Sequence, residues 1–321
     1  MVTLVNPANG SRLRREGGHL IDAEGTRFPI VRDIPRFGLE NNYTASFGRQ
    51  WNIFKKTQID RPEQGYGPSE RRFFATTEWQ PKHLEGLNVL EVGSGAGRFS
   101  RVILHHTKAH LWSVDYSEAV DANLENNGAV APDRFHLFQA SIYEMPFADE
   151  SFDKIFCLGV LQHTPDFEAS VRALVKKARK GGEIAVDFYP IKGFWTKLHS
   201  KYILRPITKR LPHQRLLSLI EKNADWMIKL VTGLNRVGLG ALGRFVPVCD
   251  IQRTLPRGLS PAELREWVVL DTFDMLSPQY DNPQRVGDVA AMFRRAGATV
   301  TFAGFVQIEN AFSAVVRAVR N

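Results

Sequence analysis

Between Leu87 and Phe188, short apolar runs alternate with amphipathic stretches, a pattern that predicts repeated strand–helix units. Asn88-Val-Leu-Glu-Val92 is the first strand; it runs into Gly93-Ser-Gly-Ala-Gly97 and then a helical stretch from Arg98 to His106. Leu111 to Val114 is a second strand ending at Asp115, after which Ser117 is placed to cap a helix from Glu118 to Asn127. Phe135–Ala140 and Phe152–Cys157 are the third and fourth strands. Asp166 to Arg179 is a basic amphipathic helix, and Gly181-Gly182 turns into a fifth strand, Glu183–Phe188. Such alternation implies a parallel sheet covered by helices on both faces.

The pattern changes on either side of this block. Residues 1–38 carry short strand-like runs around His19-Leu-Ile21 and Phe28-Pro-Ile-Val31, with a turn at Glu24-Gly25, and predict a small β-rich module. Residues 39–84 are aromatic-rich, with Tyr43, Phe47, Trp51, Phe54, Tyr66, Phe73, Phe74 and Trp79, and predict a helical cap whose aromatics are mostly core. Residues 85–190 form the strand–helix core, and 191–259 keep helical periodicity without strands, as an insertion would. In 260–321, Ser260-Pro-Ala-Glu263 is a helix start with a capping box, Val286–Ala296 is a helix stopped by Gly297, and Thr299–Phe302 and Ala311–Val319 are strands that rejoin the sheet.

Composition narrows the classes. The chain has 321 residues, 43% hydrophobic and 24% charged, which suffices for a core without staples. Cys157 and Cys249 are the only cysteines, so neither a disulfide framework nor a four-cysteine zinc site is expected, and a reducing compartment is the simplest reading. The N-terminus lacks the regions of a signal peptide, and the most apolar stretch, Trp226–Val248, is broken by Lys229, Arg236 and Arg244. Cytoplasmic placement is expected. The net charge of +8 is uneven: Ile191–Gly258 holds thirteen basic residues against Glu221, Asp225 and Asp250. This suggests an anionic substrate or the inner face of a membrane as partner for that segment, with a merely solvated helical face as the alternative.

The glycine loop carries the chemistry. A strand that ends in glycines at the open edge of a parallel sheet brings bare backbone, and then a helix N-terminus, up to a ligand. The glycines Gly93, Gly95 and Gly97 are spaced two apart, whereas a dinucleotide fingerprint wants its third glycine at the position of Arg98. Glu91 stands two residues before the first glycine, where an acid can engage an ammonium group, and Asp115 ends the next strand, placed for the hydroxyls of a ribose. A ligand with an amino-acid end and a ribose fits all three. That ligand is S-adenosylmethionine.

Val89-Leu-Glu-Val-Gly-Ser-Gly-Ala-Gly97 resembles the first motif of class I S-adenosylmethionine-dependent methyltransferases, and Ser113-Val-Asp115-Tyr-Ser117 their second-strand motif. Ser141 to Asp153, Phe156 to Asp166 and Lys180-Gly-Gly182 resemble the later passages, in order and at normal spacing. The resemblance covers about residues 85–190. It implies a Rossmann-like α/β fold with a seven-stranded sheet. It also implies cofactor contacts from Glu91, Gly93, Ser94, Gly95, Gly97, Asp115, Tyr116, Ser141, Ile142, Leu158 and Gln162. Ser141 departs from the acid often found there; a neutral acceptor binds the adenine amino group more weakly. More loosely, residues 1–38 resemble a Trm112-like domain, through Gly25-Thr-Arg-Phe-Pro-Ile30 and Asp33-Ile-Pro-Arg-Phe37, without its cysteine pairs; this implies a metal-free module.

Methyl transfer from a sulfonium needs alignment and dryness more than acid–base help. His163, beyond the fourth strand, is the candidate base if the acceptor must lose a proton; packing beside the cofactor is its alternative role. Tyr189 and Asp187 end the fifth strand and are candidate acceptor contacts, and Asn42-Tyr43 and Arg49-Gln50-Trp51 are placed to close over the cofactor. The acceptor expected is a small molecule, a glycan or a lipid-linked intermediate, methylated on oxygen. An RNA-directed enzyme is the alternative, although the fourth strand lacks the Asn/Asp-Pro-Pro-aromatic loop of amino-directed base enzymes, neither cysteine follows a proline, and Ser277-Pro-Gln-Tyr280 lies far from that strand. An inactive cofactor-binding scaffold is the non-enzyme alternative.

Overall fold

The computed structural model describes residues 2–37, 43–61, 67–191, 193, 198–256, 258–309 and 311–321, apart from the side chains of residues 45, 46, 49, 253 and 254. Asn42, Tyr66, Lys192, Lys197, Arg257 and the Arg49 and Arg253 side chains therefore lie outside the described residues. In chain order the structure begins with a four-stranded antiparallel sheet, β1 (Arg14–Glu16), β2 (His19–Ile21), β3 (Arg27–Val31) and β4 (Ile34–Pro35). Its Asn6 side chain donates to the buried Asp22, whose carboxylate also receives the N–H groups of Glu24 and Thr26. These donors hold Asp22 down at about 2 and tie the turn together.

Two helices follow, α1 (Ala45–Ile53) and α2 (Pro68–Thr77), and then the core: β5 (Asn88–Val92), α3 (Arg98–His106), β6 (His110–Asp115), α4 (Ala119–Asn127), β7 (Phe135–Gln139), β8 (Phe152–Leu158), α5 (Phe167–Lys177) and β9 (Ala178–Phe188). Next come α6 (Ser200–Thr208), α7 (His213–Arg236), the single turn α8 (Ile251–Thr254), α9 (Pro261–Leu276) and α10 (Val286–Arg295), and the hairpin of β10 (Ala298–Ile308) and β11 (Ala311–Arg320) closes the chain.

The main sheet has seven strands in the order β10-β11-β9-β8-β5-β6-β7. The five strands from β9 to β7 are parallel, and the terminal hairpin adds antiparallel to β9. From β5 the chain winds outward through β6 to β7, then crosses back to place β8 on the other side of β5. The order reverses there, so the C-terminal ends of β5 and β8 diverge and leave a crevice. One sheet face packs Phe167, Val171 and Leu174 of α5 with Val289 and Phe293 of α10. The other packs Phe73 of α2 and Phe99, Val102 and Ile103 of α3. This is the Rossmann-like seven-stranded arrangement with helices on both faces.

Several boundaries differ from the sequence reading. Glu118 rather than Ser117 takes the cap position of α4, while the Ser117 hydroxyl donates to Asp115 and accepts the N–H of Ala119, the first residue of the helix. The fifth strand starts at Ala178, ahead of the Gly181-Gly182 turn, because its early residues already pair with Phe152 of β8. The capping box at Ser260 and Glu263 is present as expected. Helices α7 and α9 share a core of Leu216, Ile220, Val269 and Phe273 with Phe54 beyond α1, so this helical layer packs on itself rather than on the sheet.

At Gly97 the helices come closest to the loop. Its φ is +86°, and an added Cβ would overlap Asn123 Oδ1 and Asn127 Nδ2 of α4. We therefore expect Gly97→Ala to destabilise the fold by about 3 kcal/mol, the sum of left-handed strain and overpacking. Thermal or urea unfolding of the variant checks this, and a change below about 1 kcal/mol would show that the Asn123–Asn127 pair yields freely.

Candidate functional site

Three successive N–H groups fix the loop after β5 to the end of β6. Gly93 N–H donates to the Val114 carbonyl at 2.7 Å, Ser94 N–H to the same oxygen at 3.2 Å, and Gly95 N–H to Asp115 Oδ2 at 2.8 Å. At Gly93 φ is +82°, and a Cβ would overlap both methyl groups of Val160, which follows β8 across the crevice. Only a bare backbone passes between the two strand ends.

A cavity of about 1660 Å³ opens at this point. Its wall includes Gly93, Ser94, Gly95, Asp115, Tyr116, Ile142 and Leu158 among the expected cofactor contacts, together with His163 and Tyr189. Tyr43, Gln50 and Trp51 also line it, and the Trp51 indole lies about 3.1 Å from where a Gly95 Cβ would stand.

Five expected contacts do not reach the wall. Glu91 is buried beneath the loop, its Oε2 accepting from the Ser100 and Ser113 hydroxyls. Gly97 serves the α3–α4 approach. Ser141 turns its hydroxyl to the Tyr143 N–H. The single helical turn Leu161–His163 sends His163 to the cavity and buries Gln162 completely. Asp187 is 1% exposed and braces the wall from behind, receiving Arg72 Nη2 at 2.6 Å and the Gly159 N–H at 2.5 Å.

Burial sets the electrostatics. Asp115 is pushed up by desolvation, opposed by hydrogen bonds from the Ser117 hydroxyl, the Gly95 N–H and the Ser117 N–H. Oδ1 already takes two donors and Oδ2 one, so one acceptor direction stays open, and a second hydroxyl enters only where Ser117 Oγ gives way. Glu91 is pushed up to about 7 by desolvation, with Ser100 and Ser113 opposing.

His163 is buried, and its Nδ1 lies 3.1 Å from the Tyr280 carbonyl. That contact places the ring proton on Nδ1 and leaves Nε2 a bare lone pair without a protein partner. Desolvation pulls its pKa down, and the nearby Asp274 and Asp281 oppose the shift. Ser94 Oγ and both amide atoms of Gln50 are likewise buried without a partner, and all three residues are on the wall. Polar atoms left bare in a dry cavity are costly unless a ligand meets them.

The far wall is charged. Asp271 and Asp274 lie three residues apart on α9, and Asp271 is pushed up to about 7 by burial and by Asp274, with Arg98 and Arg72 opposing. Arg98 donates to Gln58 Oε1 at 2.6 Å and falls to about 10 through desolvation and its neighbour Arg72. Tyr189 donates to Asp274 Oδ2 at 3.3 Å, and Lys201 sits 4.3 Å above the Tyr189 ring while pairing with Asp281 at 2.9 Å. Neither Arg72 nor Asp271 was singled out from sequence, and Lys201 entered only as one of the thirteen basic residues of Ile191–Gly258. The signal available was two acids inside the apolar run Val268–Leu276. The segment Ser277–Tyr280, remote in sequence from the fourth strand, folds back to supply the carbonyl that holds His163.

Residues 90–186 match the family described as a methyltransferase domain. The core of this chain is a class I S-adenosylmethionine-dependent methyltransferase domain. Among curated relatives, a tRNA U34 carboxymethyltransferase of Nautilia profundicola is 30% identical over 132 residues, covering 37% of this chain and 43% of that protein. A sterol methyltransferase-like protein of Botryococcus braunii is 32% identical over 163 residues, covering 50% and 39%. The chain thus spans about two fifths of the length of these relatives. Magnesium protoporphyrin IX methyltransferase from Synechocystis, solved with bound SAH, is 15% identical, covers 88% of this chain and 90% of its own, and superposes with a TM-score of 0.44.

The methyltransferase domain fits its cofactor on this structure's own terms: the glycine backbone of residues 93–95 on the cavity wall, the bare Ser94 hydroxyl among it, and a carboxylate on the adjoining strand end. Removing the carboxylate in Asp115→Ala should weaken S-adenosylmethionine binding by at least about a hundredfold, since a charge-assisted contact and the Gly95 anchor go together. Calorimetry showing unchanged affinity would remove Asp115 from the site.

Glu91 gives a pH signature. Its folded value of about 7 lies above the unfolded 4.5, so the folded state holds the proton more tightly. The stabilisation is complete below about 4.5 and is lost as pH rises through about 7. In Glu91→Gln the fall in melting temperature between about pH 5 and pH 7 should flatten; an unaltered slope would assign that fall elsewhere.

Proposed function

We propose that this chain transfers a methyl group from S-adenosylmethionine to an oxygen of a small-molecule, glycan or lipid-linked acceptor, with His163 as general base. The observation that carries the reading is the bare Nε2 of His163, buried at the cavity wall and set by the Tyr280 carbonyl. The cofactor supplies an electrophilic sulfonium methyl group.

The chain's residues do the rest. The glycine loop and Asp115 hold and orient the cofactor, and Trp51 and Tyr43 border the cavity from the N-terminal side. His163 is neutral at pH 7, because burial disfavours its charged form, and its Nε2 can take a proton from an acceptor hydroxyl. Tyr189, its ring 5.6 Å from the imidazole and its hydroxyl on Asp274, limits where that hydroxyl can sit. A cavity of about 1660 Å³ exceeds the roughly 300–1,000 Å³ of an ordinary ligand site, which leaves room for an acceptor beside the cofactor. The RNA-directed alternative draws on the relative named for tRNA U34 and on the basic helices.

Incubation with labelled S-adenosylmethionine and fractionated extract should label a non-nucleic-acid fraction; label in RNA would favour the alternative. On the labelled acceptor, His163→Ala should lower kcat between about a hundred- and ten-thousand-fold, with cofactor affinity held within about threefold. The wild-type rate should be flat above about pH 6.5 and fall at lower pH as the imidazole protonates. Full turnover in the variant would mean that alignment alone drives the reaction.

A further inference from the structure

Of the fourteen large apolar side chains exposed among the described residues, nine fall between Ile203 and Phe245. On α7 and at its C-cap, Leu219, Trp226, Leu230 and Val237 recur at intervals of seven, four and seven, which sets them in one stripe along the helix. The adjoining side of the same helix, about a quarter-turn round, buries Ile220, Ala224, Met227 and Val231, so the exposed stripe lies between the core-facing side and the cations.

Beside the stripe runs a row of cations. Arg215, Lys222, Lys229 and Arg236 follow at intervals of seven, are all exposed, and carry no ion pair among the described residues. The two acids of the helix do not neutralise them: Asp225 pairs with Arg265 of α9 at 3.1 Å, and Glu221 offers its backbone carbonyl to the same guanidinium. The segment after α7 alternates in the same manner. Gly238, Gly240, Gly243 and Arg244 line the cavity, while Leu242 and Phe245 are exposed between and beyond them.

We infer that the exposed face of α7 and the turn that follows it form a docking surface for an anionic lipid bilayer, with the cavity opening at the docked side. The inference deepens the methyl-transfer reading, since it places a lipid-linked acceptor at the mouth of that cavity. Charge complementarity selects the occupant. A duplex or single strand of nucleic acid would use the cations and leave the leucines wet; a protein partner would not require four unpaired cations in register. An interface of lipid headgroups over acyl chains meets both: apolar side chains enter the chain region and the flanking cations stay at phosphate level. No described helix is long and apolar enough to cross a membrane, so α7 would lie in the interface plane.

The full-length protein should sediment with vesicles of equal parts phosphatidylglycerol and phosphatidylcholine, and weakly with phosphatidylcholine alone. Lys222→Glu with Lys229→Glu, and separately Leu219→Ser with Leu230→Ser, should each lower partitioning by about tenfold or more. Both pairs point to solvent, so far-UV circular dichroism and S-adenosylmethionine affinity should stay unchanged, and Lys82→Glu, an exposed cation elsewhere, should bind as the wild type. Absence of sedimentation, or equal loss in Lys82→Glu, would overturn the inference. So would self-association abolished by the serine pair, which would assign the face to a second copy, or RNA binding lost only with the glutamate pair and no vesicle binding. Vesicle binding by a protein with no cofactor affinity would sustain the docking surface and end the methyl-transfer reading instead.

Discussion

The crevice between two diverging strand ends is held open by one short set of hydrogen bonds. Gly93, Ser94 and Gly95 direct their N–H groups onto Val114 and Asp115, so the loop after β5 is pinned to the end of β6 and cannot fold back over the sheet. The glycine at 93 passes Val160 only because it lacks a side chain. Helix α3, the cavity floor and the placement of Asp115 all follow from that pinning. The same bonds raise the stakes of burial: the carboxylate that anchors the backbone is also the group proposed to hold the sugar.

Around that crevice the protein keeps ionisable groups dry and offsets them unevenly. Glu91 is short of donors and rises to about 7, while Asp22, well supplied with donors, falls to about 2. Desolvation penalises the charged form, and only hydrogen bonds or opposite charge reverse it. His163 belongs to the first kind, and its neutrality is what lets a buried imidazole present a bare nitrogen. The acidic pair on α9 and the arginines facing it make the far wall polar without net charge of one sign, which suits an acceptor with several hydrogen-bonding groups.

Much of this was legible without coordinates. The alternation of apolar runs, the glycine spacing and the acid at the end of the second strand are local features, each enforced by backbone geometry within a few residues, and they led to the sheet, its helices and the cofactor. The helix start at Ser260 was equally readable, because a capping box is a contract between residues three apart. At Ser117 the boundary moved by one residue, and its hydroxyl serves both the helix start, through the Ala119 N–H, and Asp115.

By itself, the sequence determined the fold class, the cofactor loop and the basic excess of Ile191–Gly258, since period, spacing and charge are written along the chain. Tertiary structure decided which of those residues face the cavity. Gln162 and Asp187 turned inward while their neighbours His163 and Phe188 lined the wall, and Arg72, Asp271 and Tyr280 arrived from distant segments. The physical reason is that a side chain's direction depends on what packs against the other side of its backbone, and such partners are remote along the chain: 117 residues separate His163 from Tyr280 and 213 separate Gln58 from Asp271.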